Sequence, residues 1–283
     1  MNIAGILRNK VFSPNSNDDS IMEFVANGLR ANGHQVTFYK EETLPQSDIN
    51  EHIIFSMARG SDSLLKLQQC ENCGAIVVTS PKGVQNCERI SITRLMFDIG
   101  INIPPSVILY LSDGLEIPDD IAFPCWLKCA GACTQQKEDV CFIEDWETLE
   151  LHIGEFRHRG IKTALLSQHV TGDIIKFYSV TDTDFFYWYY PTQGPSHSKF
   201  GLEKHNGMPR QYPFSIKKLK QDTDKIARLA EVPVYGGDCI VDETGKYWII
   251  DFNDWPSFSP CIEDASKTIV KYIINQISYH VKY

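Results

Sequence analysis

The sequence predicts two architectures in one chain, a parallel α/β unit followed by an α+β region rich in antiparallel hairpins. Three observations carry this. Over the first hundred residues, short apolar strand-like runs alternate with stretches of helical periodicity, the pattern of a parallel sheet with crossover helices. From Phe123 onward, strands separated by turn residues dominate and helices become fewer. The 283 residues are 43% hydrophobic and 22% charged, ordinary globular values with enough apolar content for one large or two modest cores.

Asn2–Leu7 is the first predicted strand. Asp18, Asp19 and Ser20 offer N-caps to a helix whose apolar positions Ile21, Phe24, Val25 and Leu29 recur at helical spacing, and Asn32-Gly33 ends it. Strands follow at Gln35–Tyr39, Ile53–Phe55 and Ala75–Thr79, with a helix around Asp62–Gln69 between the last two. A helix from about Arg89 to Ile99 stops at Gly100, and Ile101 to Pro105 starts an extended link. Phe123–Lys128 and Val140–Ile143 read as strands bracketing a loop, and Trp146–Arg157 as a helix with Leu149, Ile153 and Phe156 on one side. Ala164–Val170 and Ile174–Val180 are strands around Thr171-Gly172. Phe185–Tyr190 is strongly β-prone, and its alternating aromatics suit a core strand buried on both faces. Pro191–Tyr212 is polar and reads as a loop able to act as a lid, with Gly194, Gly201 and Gly207 as its flexible points. Helices are predicted at Lys217–Leu229 and Ala265–Ser278.

The net charge of −9 argues against nucleic-acid or anionic-membrane partners, leaving room only for a local basic cleft. No apolar run approaches the roughly 18 residues needed to span a bilayer, and the N-terminus lacks the basic segment of a signal peptide. Nine cysteines, an odd number scattered through apolar segments, suit reduced thiols in a cytoplasmic protein. Cys70 and Cys73 form a lone CxxC without a second pair at zinc-site spacing. Cys125, Cys129 and Cys133 are spaced by four across a predicted strand, which does not gather thiols as a helix would.

The richest stretch runs from Tyr235 to Ser257. Cys239-Ile-Val241 and Tyr247-Trp-Ile-Ile250 flank the turn Asp242-Glu-Thr-Gly245, a hairpin signal. Paired antiparallel, these strands bring Asp238 and Asp251 together at one end, and Asn253 shares a face with Asp251 because strand side chains alternate. Three hard oxygen donors converge there, a set suited to Mg²⁺ that also bridges phosphates. A polar hairpin end without a metal is the other reading of Asp-x-Asn taken alone.

In this order the elements resemble the ATP-grasp superfamily, in particular the glutathione synthetase and D-alanine–D-alanine ligase branch and the related glutamate ligases. The resemblance covers nearly the whole chain. It rests on the helix from Asn86 and Arg89 to the Gly100-Ile-Asn-Ile-Pro104 turn, on Pro124-Cys-Trp-Leu-Lys128, on Leu166-Ser-Gln168-His-Val170, on Gly172-Asp-Ile-Ile-Lys176, and on Asp238, Asp251 and Asn253. It implies a pre-ATP-grasp α/β domain over 1–85 and a linker helix and connection over 86–122. A small subdomain over 123–170 and a C-terminal subdomain over 171–283, both α+β, would sandwich ATP. It also implies ATP with Mg²⁺ as cofactors, Mn²⁺ being able to serve in the same ligands. Lys128 and Arg89 would bind phosphate, with Thr134 and Lys137 in the loop that covers it. Gln168, His169 and Val170 would present the adenine-binding edge. Lys176 would face nucleotide or acceptor, and Asp238, Asp251 and Asn253 would hold the metal.

The activity implied is joining a carboxylate to an amine through an acylphosphate, with small-molecule or peptide carboxylates and amines as partners; a homodimer is compatible with it. The resemblance also takes in inositol phosphate kinases, so an ATP-dependent small-molecule kinase is an alternative, with Arg157, His158, Arg159 and Lys162 as a basic cluster for a phosphorylated acceptor. A non-catalytic nucleotide-binding module is a third.

The loop after Lys128 carries one glycine, Gly131, fewer than such phosphate loops usually have. Asp251 stands where glutamate is more common, and Arg89 where lysine is. For a catalytic arginine the candidate is Arg210, with Lys199 and Lys204 in the same loop; His169 is assigned no acid–base role. Arg8, Asn9, Ser13 and Asn15 follow the first strand, where α/β domains place ligand loops.

Overall fold

The structure, a computed structural model, describes residues 1–12, 18–111, 121–131, 136–191 and 205–280. Among the described residues, twelve strands form three four-stranded sheets. The first is parallel, in the order β2-β1-β3-β4, from β1 (Asn2–Leu7), β2 (Gln35–Lys40), β3 (Ile53–Ser56) and β4 (Ile76–Val78). The second is antiparallel, in the order β5-β8-β6-β7, from β5 (Ser106–Tyr110), β6 (Cys125–Cys129), β7 (Val140–Ile143) and β8 (Thr163–Gln168). The third, also antiparallel, runs β10-β9-β11-β12, from β9 (Asp173–Val180), β10 (Phe186–Tyr189), β11 (Val234–Val241) and β12 (Tyr247–Asp254). The expected mixture of α/β and α+β organisation is present. No helix among the described residues is long and apolar enough to cross a membrane.

Helix α1 (Asp18–Ala31) buries Ile21, Met22, Val25, Ala26 and Leu29. Phe24, expected on that stripe, is 43% exposed, because the buried stripe is completed by Met22 and Ala26 on its other flank. The stripe packs under β1 and β3 and against α7 (Ile262–His280), whose Ile269, Val270, Ile273 and Ile277 join the same core. Gly28 makes this contact close: a Cβ there would lie 2.7 Å from Val270.

Helices α2 (Ser61–Asn72), α4 (Arg89–Asp98), α5 (Trp146–His158) and α6 (Ile216–Ala230) fall where periodicity places them. Ser80-Pro81, directly after the strand expected at Ala75–Thr79, starts α3 (Pro81–Asn86), with the Ser80 hydroxyl accepting from the Gly83 amide at 2.9 Å. Strand β5 lies in the segment read as a link; its Ser106-to-Tyr110 run pairs antiparallel with β8. The aromatic strand β10 is a half-buried edge strand, not a fully buried one. Its alternation still divides it between two cores, Tyr187 and Tyr189 toward the α1–α7 side, Phe186 and Trp188 toward the α4–α6 side.

Candidate functional site: a cleft between the two antiparallel sheets

Period-two alternation along β6 sends Cys125 and Leu127 into the core beneath α5 and turns Trp126 and Lys128 to the opposite face. That face looks toward the third sheet: the Lys128 ammonium donates to the Ile250 carbonyl of β12 at 3.3 Å. Arg89, at the start of α4, donates to the Cys129 carbonyl at the end of β6. Arg89, Lys128, Ser106, Ser167, Ile250 and Asp251 line one cleft.

The carboxylates come from β11 and β12. Asp238 and Asp251 are direct cross-strand partners, and Asn253 is opposite Gly236. The register shifts between Asp238 and Cys239, which pairs with Ile249 and so leaves Ile250 as the extra residue of a β-bulge. As a result Ile249 and Phe252, three positions apart, both enter the same core. The strands approach closely here. A Cβ on Gly237 would stand 2.2 Å from the Asp251 carbonyl oxygen, so only glycine fits.

Lys176 of β9 is the cross-strand partner of Asp238 on the other side, making a row Lys176, Asp238, Asp251 over three strands. Its ammonium donates to both Asp238 oxygens, at 2.7 and 3.0 Å. Burial pushes the Asp238 carboxyl above the usual range, with the Asp251 charge adding to this, while Lys176 pulls it down. Burial, and then the Arg89 charge, bring the Lys128 ammonium down to about 8, opposed by Asp251 and Asp238.

Two facing carboxylates, with an amide two residues along, fit a hard divalent cation that keeps coordination places for other oxygens. Among the described residues no three His, Cys, Asp or Glu side chains stand together as a closed site of the zinc kind would need.

At the end of β8 the Gln168 amide donates to the Pro105 carbonyl at 2.9 Å and the His169 amide to Pro124 at 3.1 Å. The Val170 carbonyl accepts from the Asn206 side chain at 2.9 Å. Trp126 donates its indole N–H to His169 Nδ1 at 3.1 Å, which makes Nδ1 the acceptor and places the neutral imidazole's proton on Nε2. Burial, and secondarily His205, hold the His169 pKa below its ordinary value. The His205 ring stacks on Phe142 with centroids 4.0 Å apart, and Trp126 meets Phe142 edge-on at 4.9 Å. Flat apolar surface thus lies beside this segment.

The structure therefore brings together Arg89, Lys128, Lys176, Asp238, Asp251 and Asn253, with Gln168, His169 and Val170 bordering the same face of β6 through Trp126. Arg210 is not brought to them. Its guanidinium is exposed and donates to the Tyr212 hydroxyl at 3.0 Å. Its amide donates to Asp173, which pairs with Val241, three residues along from the Lys176–Asp238 pair and toward the hairpin turn. Arg210, expected as the candidate catalytic arginine, thus stands at the hairpin-turn end of the sheet. Lys137 opens a 3-10 turn and is exposed. Thr134, Lys199, Lys204, Ser13, Asn15, Gly194 and Gly201 lie outside the described residues. In the basic cluster, Arg157 donates to the Leu111 carbonyl and Arg159 pairs with Asp139, so both tie α5 to its surroundings.

Several site residues are missing from the sequence-based expectation. Trp126 could have been found by carrying alternation back two residues from Lys128. Arg59 and Asp254 could not. Arg59 follows β3 and pairs with Asp254, the neighbour of Asn253, at 2.5 Å, and Arg8 after β1 approaches the same carboxylate at 3.8 Å.

No family model matches the sequence, and no curated protein matches it. Solved structures do. A RimK domain ATP-grasp protein from Sphaerobacter thermophilus is 13% identical, with a TM-score of 0.69 covering 97% of this chain and 100% of that one. D-alanine–D-alanine ligase from Bacillus anthracis, in complex with ATP, is 12% identical with a TM-score of 0.66, covering 99% and 98%. The ATP-grasp ligase PsnB, in complex with a minimal precursor, Mg and ADP, is 15% identical with a TM-score of 0.62, covering 97% of each chain.

Proposed function

Because this chain has the ATP-grasp fold, we propose that it is an ATP- and Mg²⁺-dependent ligase that joins a carboxylate to an amine through an acylphosphate. The observation that carries this reading is the shared cleft: Arg89 and Lys128 from one side and Asp251 from the other line a single space, with Asp238 and Asn253 beside Asp251. Cations facing paired carboxylates across a gap are what a polyphosphate with a divalent ion needs.

In this reading Lys128 and Arg89 neutralise phosphate oxygens and thereby hold ATP in line with the acceptor. The face formed by Trp126 and Phe142, bordered by Gln168, His169 and Val170, takes the nucleobase. Asp238, Asp251 and Asn253 hold Mg²⁺, which supplies charge neutralisation at the transferring phosphoryl group. The acceptor carboxylate attacks the γ-phosphorus and ADP leaves. The amine then adds to the acyl carbon and expels phosphate. The substrates are small-molecule or peptide carboxylates and amines.

The test is turnover of purified protein with ATP, Mg²⁺ and a panel of carboxylates and amines. ADP and phosphate released together, dependent on one acid–amine pair, are the expected result. ADP with a phosphorylated product and no phosphate release identifies a kinase instead, and ATP binding without turnover on any pair a binding module. Failure to bind ATP in calorimetry with Mg²⁺ removes all three.

A further inference from the structure

We propose that the His169 side chain, held in one tautomer by Trp126, reads the nucleobase: its Nε2–H donates to a ring nitrogen of a purine and makes His169 the residue that sets base preference. This rests on the nucleotide reading of the cleft given above and adds to it the group that recognises the base.

Alternation along β8 sends Ala164 and Leu166 into the core and turns Ser167 to the cleft, where it is the cross-strand partner of Trp126. His169, two residues on, reaches the Trp126 indole, so its imidazole stands on the same face. The other N–H groups at this point are already spent. The Gln168 amide donates to the Pro105 carbonyl, the His169 amide to that of Pro124, and the Trp126 indole to His169 Nδ1. A base acceptor passing Gln168 and His169 therefore meets no main-chain donor from either residue, and an acceptor buried without one costs affinity.

His169 Nε2 supplies the missing donor. With Nδ1 accepting, the proton of the neutral ring is on Nε2. Among the described residues no acceptor takes it, and the atom is not sealed from solvent. The ring is fixed on two sides, by the 3.1 Å bond from Trp126 and by edge-on contact with Phe142, centroids 5.4 Å apart. A donor held in this way loses little freedom when it binds. Burial, and then His205, keep the ring's pKa low, so at neutral pH the donor is uncharged and suits a neutral acceptor rather than a phosphate oxygen. The ring nitrogens on a purine's edges are acceptors of that kind.

Calorimetric binding of ATP with Mg²⁺, beside the three deaza analogues that replace N1, N3 or N7 by C–H, tests this. One analogue should bind the unsubstituted chain about tenfold more weakly than ATP does; this arm needs no variant to fold. His169→Phe should bind ATP about tenfold more weakly and should no longer distinguish it from that analogue. Circular dichroism shows whether the variants are folded. Trp126→Phe removes the indole donor, so the imidazole ¹⁵N resonances of His169 should report both tautomers where the unsubstituted chain reports one. Equal affinity for ATP and all three analogues, undiminished discrimination in His169→Phe, or an unchanged single tautomer in Trp126→Phe overturns the inference and leaves nucleotide binding standing. A chain that binds none of the four nucleotides overturns the nucleotide reading itself, and this inference with it.

Discussion

Arg59 Nη2 stands 2.5 Å from the Asp254 carboxylate, although 195 residues separate them along the chain. The pair joins the end of β3 in the parallel sheet to the end of β12, one residue beyond Asn253. The strand that carries two of the three oxygen donors is therefore pinned to the N-terminal sheet at its last residue.

Arg59→Ala should destabilise the protein by about 3–5 kcal/mol, because it strands a buried carboxylate. Arg8 at 3.8 Å is too far to replace the lost bond. Urea unfolding measures this, and a loss below about 1 kcal/mol would place the pair among the weak surface kind.

Lys128 makes stability and ligand binding depend on pH in opposite senses. Its ammonium falls from the ordinary 10.5 to about 8 in the folded protein. Below pH 8 both states are charged and the full cost of burying that charge is present; between 8 and 10.5 the unfolded chain holds more protons, so stability rises with pH. The difference in unfolding free energy between the unsubstituted chain and Lys128→Met should rise across that window. A flat or falling difference contradicts the depressed pKa.

A polyphosphate beside Lys128 restores the charge. ATP binding near pH 8.5, about half a unit above the depressed value, should take up a fraction of a proton. Calorimetry in buffers of different ionisation enthalpy reads this directly, and Lys128→Met should abolish the uptake.

Gly237→Ala should cost about 1–3 kcal/mol through overpacking, since its Cβ would lie 2.2 Å from the Asp251 carbonyl oxygen. Relief of that clash shifts β12 and its donors, so Mn²⁺ affinity should drop along with the melting temperature. A variant of normal stability and normal Mn²⁺ affinity is the result that counts against the close approach.

Trp126→Ala should weaken ATP binding by about 1–3 kcal/mol, the worth of one stacked base. In the unsubstituted chain, ATP should change the indole emission, and that change should disappear in the variant. An equal response from both proteins would assign the signal to another tryptophan.

Much of this arrangement is legible in the sequence because it is periodic or local. β1 and β7 span the residues that strand-like apolar runs mark, and the hairpin with its turn at Asp242–Gly245 brings Asp238 and the Asp251–Asn253 stretch to the same end of β11 and β12, while the bulge at Ile250 is what sets Asp251 opposite Asp238. Prolines obscured two elements: Ser80-Pro81 reads equally as a strand end or a helix start, and Pro104-Pro105 hid the strand that begins at Ser106. The bulge at Ile250, across from Asp238 and Cys239, has no sequence mark beyond the nearby glycine pair Gly236-Gly237, which lies opposite Asn253 and Phe252. The Arg59–Asp254 bond is a product of tertiary folding, with no local pattern at either end. The position of Arg210 is likewise illegible in the sequence: the path of its segment is set by the buried Asp173, which accepts from the Arg210 and Tyr212 amides at 2.7 and 2.8 Å.

The packing of α7 against α1 bears on how the chain is made. Ile21, Val25 and Leu29 emerge from the ribosome early, but the Val270 and Ile273 that cover them follow more than two hundred residues later. At about 5–20 residues per second, that apolar face waits ten seconds or longer for its cover. A nascent chain stalled before Ile262 should thus be a ready client for holdase chaperones, and release of the last helix should be the event that frees it.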